Sequence, residues 1–206
     1  MGIALYPHSA RDAESLLRAA NAALHVAKKT PGTSHTLAKK EFERGSSNLL
    51  DHEQALRKGI DAQEFKLVYQ PKVDARTGAL VGFEALARWT RKNVGPVPPV
   101  EFIAAAERTG MISALGTLLL RTACERVAQW QAHYGSCVPV AVNVSPLQML
   151  DPEFPQMVQR MLESTGVEPG WISLEITESS AVQNMEQTVA QVQELRAMGI
   201  EVAMDD

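Results

Sequence analysis

Apolar residues in the second half of the chain recur with two alternating periods. Short apolar runs at residues 138–144, 172–176 and 200–204 are typical of buried strands. The stretches between these runs carry an apolar residue every three or four positions, as amphipathic helices do. The two helical stripes are Phe154, Met157, Val158, Met161 and Leu162, and then Val182, Met185, Val189, Val192 and Leu195. This alternation predicts an α/β fold with a mostly parallel sheet, open or closed into a barrel.

Turn-forming residues indicate where these helices begin and end. Asp151 and Pro152 are expected as the N-cap and first residue of the first helix, and Gly166 as its stop. Gly199 is expected to end the second helix.

A pair of strands is predicted ahead of the alternating region. Residues 66–73 and 80–89 have strand patterns, and the polar residues 76–78 between them form a turn. Residues 93–100 include three prolines and are expected to be a loop. Helical stripes follow through Phe102, Ile103 and Ala106, and then along residues 112–130.

The first third of the chain divides into two parts. Residues 1–32 predict a short strand at positions 2–6 and a helix that ends near position 30, with Ser9 and Asp12 at capping-box spacing. One strand and one helix cannot bury a core, so this segment needs partners. Residues 33–63 are polar and predict a linker with a connecting helix, although 33–45 fits a plain loop equally well. The apolar stripe of that helix is Leu49, Leu50, Leu56 and Ile60. The main domain is expected at 64–206.

Composition and charge narrow the class of protein. The chain has 206 residues, of which 45% are hydrophobic and 21% charged, and no apolar run long enough to cross a bilayer. Its N-terminus lacks the features of a signal peptide, and Cys124 and Cys137 form no CxxC pattern, so a cytoplasmic protein with free or buried thiols is expected. The net charge of −4 disfavours binding to long nucleic acid. The five histidines are scattered and are assigned no role.

Oxygen-bearing side chains fall near the predicted strand ends. Glu84 lies late in its strand, while Asn143, Glu175 and Asp205 follow one another at intervals of one βα unit. Each alone is most simply a solvated residue or a turn former. Because the carboxyl ends of parallel strands open on one face, we expect these side chains to converge there. Carboxylate and amide oxygens suit Mg²⁺ or Mn²⁺, and two such ions could activate water against a phosphodiester.

Six sequence motifs resemble those of the EAL phosphodiesterase family, in the family's order. The resemblance implies a variant (β/α)₈ barrel of the TIM type, here incomplete, that hydrolyses cyclic di-GMP to the linear dinucleotide pGpG. The motifs are Tyr69-Gln70-Pro71-Lys72, Glu84-Ala85-Leu86 with Ala87-Arg88-Trp89, Phe102-Ile103 with Ala106-Glu107 and Gly110, Asn143-Val144-Ser145, Glu175-Ile176-Thr177-Glu178-Ser179, and Met204-Asp205-Asp206.

The resemblance also implies roles for individual residues. Glu84 is implied as a catalytic metal ligand, and the first ion would be held by Glu84, Asn143, Glu175 and Asp205. Asp206 would bind a second ion, and Glu178 would steady a loop beside the site as a further catalytic residue. Arg88 would meet a substrate phosphate, for which its fork of donors is suited, although a surface ion pair is the simpler alternative. Gln70 and Leu86 would contact the substrate and its bases.

The N-terminal segment resembles the last strand and helix of a GGDEF (diguanylate cyclase) domain. The resemblance rests on residues 2–7, on Leu16-Leu17 with Ala20, and on Ala27-Lys28. The chain departs from the usual pattern at Asn21, where Asp is common, and at His25, where Tyr is common. The cyclase signature itself lies outside this sequence, so the resemblance implies a tail and no cyclase activity.

The remaining expectations concern completeness and partners. A barrel of this type typically needs about 250 residues, so the chain is expected to be a fragment that lacks later catalytic residues and is inactive and poorly folded when expressed alone. The expected partners are cyclic di-GMP, a second copy through the barrel, the GGDEF domain and a possible sensor domain. The alternatives to an enzyme are a nonhydrolysing cyclic di-GMP receptor and a signalling scaffold.

Overall fold

The computed structural model describes residues 1–10, 12–29, 35–38, 53–92, 94–177 and 185–205. The chain forms two compact units, Met1–Leu56 and Arg57–Asp206, which are described separately. Helix α2 covers residues 53–61, where the sequence predicts a connecting helix.

The first unit contains two short strands and one helix in its described residues. Strand β1 (Gly2–Ile3) pairs in parallel with β2 (Thr36–Leu37), and helix α1 (Ala13–Lys29) lies between them in the chain. Their small core is formed by Ala19, Ala23 and Ala38. The predicted strand at 2–6 is therefore too long, and β2 was not predicted because a strand of two residues is too short to show a strand pattern.

The capping-box prediction is wrong about which residue caps the helix: α1 begins at Ala13, so the N-cap is Asp12 and not Ser9. Asp12 caps α1, because its Oδ1 accepts a hydrogen bond from the Ser15 N–H at 2.8 Å. The Ser9 hydroxyl instead accepts from the Leu5 N–H at 3.0 Å, within the turn that follows β1.

The second unit alternates strands and helices, as the sequence predicts. Its elements, in chain order, are β3 (Phe65–Val73), β4 (Leu80–Arg91), β5 (Gly95–Val97), α3 (Pro99–Arg108), α4 (Ile112–Tyr134), β6 (Val140–Val144), α5 (Phe154–Thr165), a 3₁₀ turn (Pro169–Trp171), β7 (Ile172–Thr177), α6 (Met185–Ala197) and β8 (Glu201–Asp205).

The strands form one sheet in the order β3-β4-β6-β7-β8, with β5 attached to β4. The pairs from β4 to β8 along this order are parallel, whereas β3 and β5 lie antiparallel to β4. The predicted hairpin is confirmed. The predicted loop at 93–100 is wrong for residues 95–97, because β4 runs on to Arg91 and leaves a backbone edge with which Gly95–Val97 can pair. It is also wrong for residues 99 and 100, which begin α3.

Side chains alternate between the two faces of this sheet. One face packs against the helices and forms the core, which we call the core face. It includes Val142, Val144, Leu174, Ile176 and Val202, with Leu120 and Val127 from α4 and Val158 and Met161 from α5. Successive residues of a strand point to opposite faces, so the other residues of the same strands lie on the second face, which we call the site face.

Two helix details differ from the sequence predictions. Helix α5 begins at Phe154 with Pro155 in its first turn, since Asp151 accepts a hydrogen bond from the Glu153 N–H in a preceding turn. In α6, Val189 is 48% exposed while Gln191 is buried. The Gln191 side-chain amide donates to the Asp151 carbonyl at 2.6 Å, so a polar residue takes the inward position by satisfying a loop carbonyl.

Candidate metal and phosphate site

The described candidate residues share the site face of the sheet. Val142 and Val144 point to the core, so Asn143 between them points away from it. Glu175 is placed in the same way between Leu174 and Ile176. The antiparallel register sets Gln70 directly opposite Glu84, and residues opposite one another in such a pair lie on the same face. Glu84, Asn143 and Glu175 therefore lie on the same side of the sheet.

Glu84 and Asn143 make direct contact across β4 and β6. The Asn143 side-chain amide donates to Glu84 Oε1, with 2.9 Å between nitrogen and oxygen. This bond fixes the Asn143 side chain and leaves its amide oxygen as the atom with which it could bind a cation. Glu84 is the fifth residue of β4, which has 12 residues, so it lies in the middle of the strand and not late in it.

Glu175 is the most buried of the described candidate acids. Its exposed fraction is 9%, and Oε1 accepts a hydrogen bond from the Lys72 ammonium. Register places Glu175 beside Asn143 on the neighbouring strand. The sequence reasoning gave Lys72 no role, although Lys72 lies two residues from Gln70 and so shares its face, and that spacing is a signal that could have found it.

The Lys72–Glu175 ion pair shows that the sheet is curved toward the site face. The two residues stand on β3 and β7, which are separated by β4 and β6. In a flat sheet β3 and β7 would lie three strand intervals apart, which is about 14 Å. Side chains stand roughly perpendicular to a sheet, so in a flat sheet these two would not reach one another. The two side chains meet because the site face is concave.

A cavity of about 290 Å³ lies beside Asn143, between the end of β4 and helices α3 and α4. Leu86 and Arg88 line it from β4, Ile103 lines it from α3, and Pro146 lines it from the loop after β6. Within the described residues Arg88 forms no ion pair, and its guanidinium donates to the Ala87 carbonyl at 2.9 Å. The surface ion pair considered as its alternative role is therefore not observed among those residues.

The loop that follows Asn143 is held by buried polar contacts. The Ser145 hydroxyl donates to Glu107 Oε1 at 2.7 Å, and the Ser145 N–H donates to Gln148 Oε1 at 3.1 Å. Gln148 is 5% exposed and packs on Gly116 of α4, where a Cβ atom would lie only 2.0 Å from its amide nitrogen. Glycine at 116 therefore makes room for the side chain that holds this loop.

Three predicted site residues have side chains that lie outside the described part of the structure. Glu178 and Asp206 lie outside the described residues, and only the backbone of Asp205 is described. The register of β8 puts Asp205 at its carboxyl end, beside Thr177 of β7. In the described part of the chain, no three His, Cys, Asp or Glu side chains come together as a metal cluster. The acids described at the site are Glu84 and Glu175, and the third oxygen donor is an amide.

The donors that are present fit a hard divalent cation. Two carboxylates and one amide oxygen on adjacent strands are the ligand types that Mg²⁺ and Mn²⁺ prefer. One of these carboxylates, Glu175, already accepts a hydrogen bond from the Lys72 ammonium, so a positively charged group fits beside it. The concave face, its carboxylates and the adjoining cavity define a TIM-barrel-like α/β protein with a candidate cation site.

Comparison with known proteins identifies the family. Residues 53–206 match the EAL domain. A Caulobacter vibrioides protein, described as an uncharacterized signaling protein, is 37% identical over 206 residues, which cover all of this chain and 25% of that protein. The bifunctional diguanylate cyclase/cyclic di-GMP phosphodiesterase MucR of Pseudomonas aeruginosa is 31% identical over 206 residues, or 100% of this chain and 30% of MucR. The chain therefore belongs to the EAL domain family.

A solved structure agrees with this assignment. The PaMucR phosphodiesterase, determined as a c-di-GMP complex, superposes with a TM-score of 0.72 at 33% identity, covering 77% of this chain and 63% of that chain. The predicted TIM-barrel-like α/β fold is thus confirmed at the level of the family. The chain spans 25% and 30% of the length of the two curated relatives named above. None of the helices in the described residues is both long and apolar enough to span a membrane.

Proposed function

We propose that the protein carrying this chain hydrolyses cyclic di-GMP to linear pGpG in a reaction that depends on Mg²⁺ or Mn²⁺. The observation that carries the proposal is the contact of Asn143 with Glu84 at 2.9 Å, with Glu175 on the next strand of the same concave face. The similarity to MucR, whose name states a cyclic di-GMP phosphodiesterase activity, supports the choice of substrate.

The metal ligands proposed for the first ion are Glu84, Asn143, Glu175 and Asp205. A second ion would be held through Asp206, and Glu178 would steady the adjoining loop. When bound, the ions would supply charge neutralisation at the phosphodiester and activation of the attacking water. The contribution of Asn143 is to hold the Glu84 carboxylate by its amide N–H while it presents its oxygen to the same space.

The substrate contacts are proposed on either side of the carboxylates. Arg88 lines the cavity beside Asn143 without an ion-pair partner among the described residues, so its guanidinium is available to a phosphate. Leu86 lines the same cavity and offers an apolar surface to a guanine base. Gln70, opposite Glu84 on β3, can donate and accept hydrogen bonds at the other side of the acids.

The division of the chain into domains is proposed as follows. Residues 1–32 are the end of a GGDEF domain, 33–63 a linker with a connecting helix, and 64–206 the phosphodiesterase domain. The alignment of the whole chain with a bifunctional cyclase and phosphodiesterase supports this order. The protein would act in the cytoplasm, pair with a second copy through the barrel, and receive its input from further domains. The expected inactivity of residues 1–206 alone stays a prediction.

The proposal is tested with the full-length gene product. Purified protein is incubated with cyclic di-GMP and Mn²⁺, with EDTA as control, and the nucleotides are separated by chromatography. Formation of pGpG with Mn²⁺ and not with EDTA is the expected result. Binding of cyclic di-GMP without any pGpG would replace the enzyme by a nonhydrolysing receptor.

A further inference from the structure

The candidate cation site contains a positive charge that belongs to the chain itself. The Lys72 ammonium bonds to Glu175, a carboxylate proposed above as a metal ligand. The Lys72 side chain is 41% exposed, whereas that of Glu175 is 10% exposed. Burying a carboxylate with so little access to water is costly without a countercharge or strong hydrogen bonds. In the metal-free protein Lys72 supplies that countercharge.

The path between the two residues is kept open by small neighbours. Lys72 stands directly opposite Gly82 on β4, which places no side chain on the site face. The residue of β6 that aligns with Glu84 is Ala141, a single methyl group on the same face. The long lysine can therefore cross toward β7 over residues that do not compete for the space. The pair therefore joins two strands that are not neighbours in the sheet, and its carboxylate is largely withdrawn from water.

We propose that Lys72 is a positioning residue that holds the Glu175 carboxylate in the metal-free site and leaves it when a divalent cation binds. This inference rests on the proposed function, because it takes Glu175 as a metal ligand. A carboxylate oxygen that binds a divalent ion at about 2.0–2.6 Å has the ion where the ammonium stood, and two cations at that separation repel. Lys72 thus competes with the metal for Glu175, and in the metal-free site it pairs with the Glu175 carboxylate.

The first test is the affinity for Mn²⁺, measured by calorimetry without substrate on the full-length gene product. K72M should bind Mn²⁺ about fivefold more tightly than the wild-type protein, because the ion no longer displaces a partly buried ion pair. K66M is the matched control, since Lys66 lies on the same strand and face and its loss changes the net charge equally. K66M should stay within about twofold of the wild type, as a distant exposed charge is screened.

The second test needs no substitution and does not depend on whether K72M folds. The wild-type protein is acetylated briefly with and without Mn²⁺, and the modification of each lysine is measured by mass spectrometry. Acetylation of Lys72 should rise several-fold with Mn²⁺, while that of Lys66 stays constant. Equal acetylation of Lys72 in both samples, or a K72M affinity equal to or below that of the wild type, would overturn the inference.

Failure of this inference can be told apart from failure of the proposed function. Mn²⁺ binding by the wild type that E175Q abolishes, together with unchanged Lys72 acetylation, leaves the metal site intact and removes only the role of Lys72. A wild-type protein that binds no Mn²⁺ contradicts the metal site itself, and with it both proposals.

Discussion

Asn143 donates its side-chain amide to Glu84 at 2.9 Å, although strand register sets Asn143 opposite Glu175 and sets Glu84 opposite Ala141. The contact is diagonal, two residues further along β6 than the residue that faces Glu84. Strands of a barrel-like sheet are tilted, so diagonal neighbours stand at similar height on the concave side. Asn143 is in this way adjacent to both acids, by a hydrogen bond to one and by register to the other.

Replacement of Glu84 by alanine is expected to abolish hydrolysis of cyclic di-GMP while the fold persists. Loss of a proposed metal ligand removes several kcal/mol of charge stabilisation, equivalent to about a thousandfold in turnover. Glu84 is only half-buried and lies outside the apolar core, so thermal unfolding should change little. E101A, at an exposed position on α3, is the control and should keep normal turnover. Near-normal turnover by E84A would remove Glu84 from the site.

Replacement of Arg88 by alanine is expected to weaken cyclic di-GMP binding more than Mn²⁺ binding. The loss of a charge-assisted contact to phosphate costs about 1.5–3 kcal/mol, or roughly 10- to 150-fold in affinity. Calorimetry in EDTA measures nucleotide affinity without turnover, and a separate Mn²⁺ titration measures the metal. R76A, in the exposed hairpin turn, is the matched control. An R88A protein with wild-type nucleotide affinity would exclude the phosphate contact.

Replacement of Gly116 by alanine is expected to destabilise the protein by about 1–3 kcal/mol, the cost of overpacking and of a lost hydrogen bond. The new Cβ would lie 2.0 Å from the Gln148 amide nitrogen, so Gln148 would have to leave the Ser145 N–H. Denaturant unfolding of G116A, Q148A and the double variant tests this coupling. In the Q148A background, G116A should be neutral or stabilising, since alanine favours a helix over glycine by about 1 kcal/mol. Additive effects would contradict the contact.

The two thiols are expected to differ in reactivity. Burial raises the pKa of the Cys124 thiol to about 11. Burial also raises the pKa of the Cys137 thiol, but Cys137 is only half-buried and is therefore accessible to a reagent. At pH 8 about one Cys124 side chain in a thousand is thiolate, and the thiolate is the reactive form. A thiol-reactive dye should therefore label Cys137 first and Cys124 only on unfolding, and C137A should remove the fast phase. Fast labelling of both in the native protein would contradict the burial of Cys124.

Much of the second unit could be predicted from sequence because its signals are local. The stretch around Val142 is apolar at every position but Asn143, which predicts a buried strand, and the structure buries every residue of β6 except Asn143. Gly166 ends α5 in the left-handed conformation that glycine adopts readily, at a φ of 69°. Such features depend on a few neighbouring residues and are visible in one sequence.

The features that sequence reasoning missed depend on contacts between distant segments. The inward position of Gln191 is decided by the Asp151 carbonyl, forty residues earlier in the chain. Strand β5 forms because the end of β4 offers an edge, although its own residues include Pro96. The Lys72–Glu175 pair requires the curvature of the sheet, which no spacing along the chain reports. Glu84 and Asn143, in contrast, were proposed from sequence because each lies near a predicted strand end and within a motif that resembles the EAL family.

The central claim is tested most directly by the products formed from cyclic di-GMP. The full-length gene product is incubated with the nucleotide and Mn²⁺, beside E84A and an EDTA control, and the products are resolved by chromatography over time. The account predicts steady accumulation of linear pGpG by the wild type with Mn²⁺, and none in either control. Equal pGpG formation by E84A, or tight binding of cyclic di-GMP by the wild type with no pGpG at any time, would contradict it.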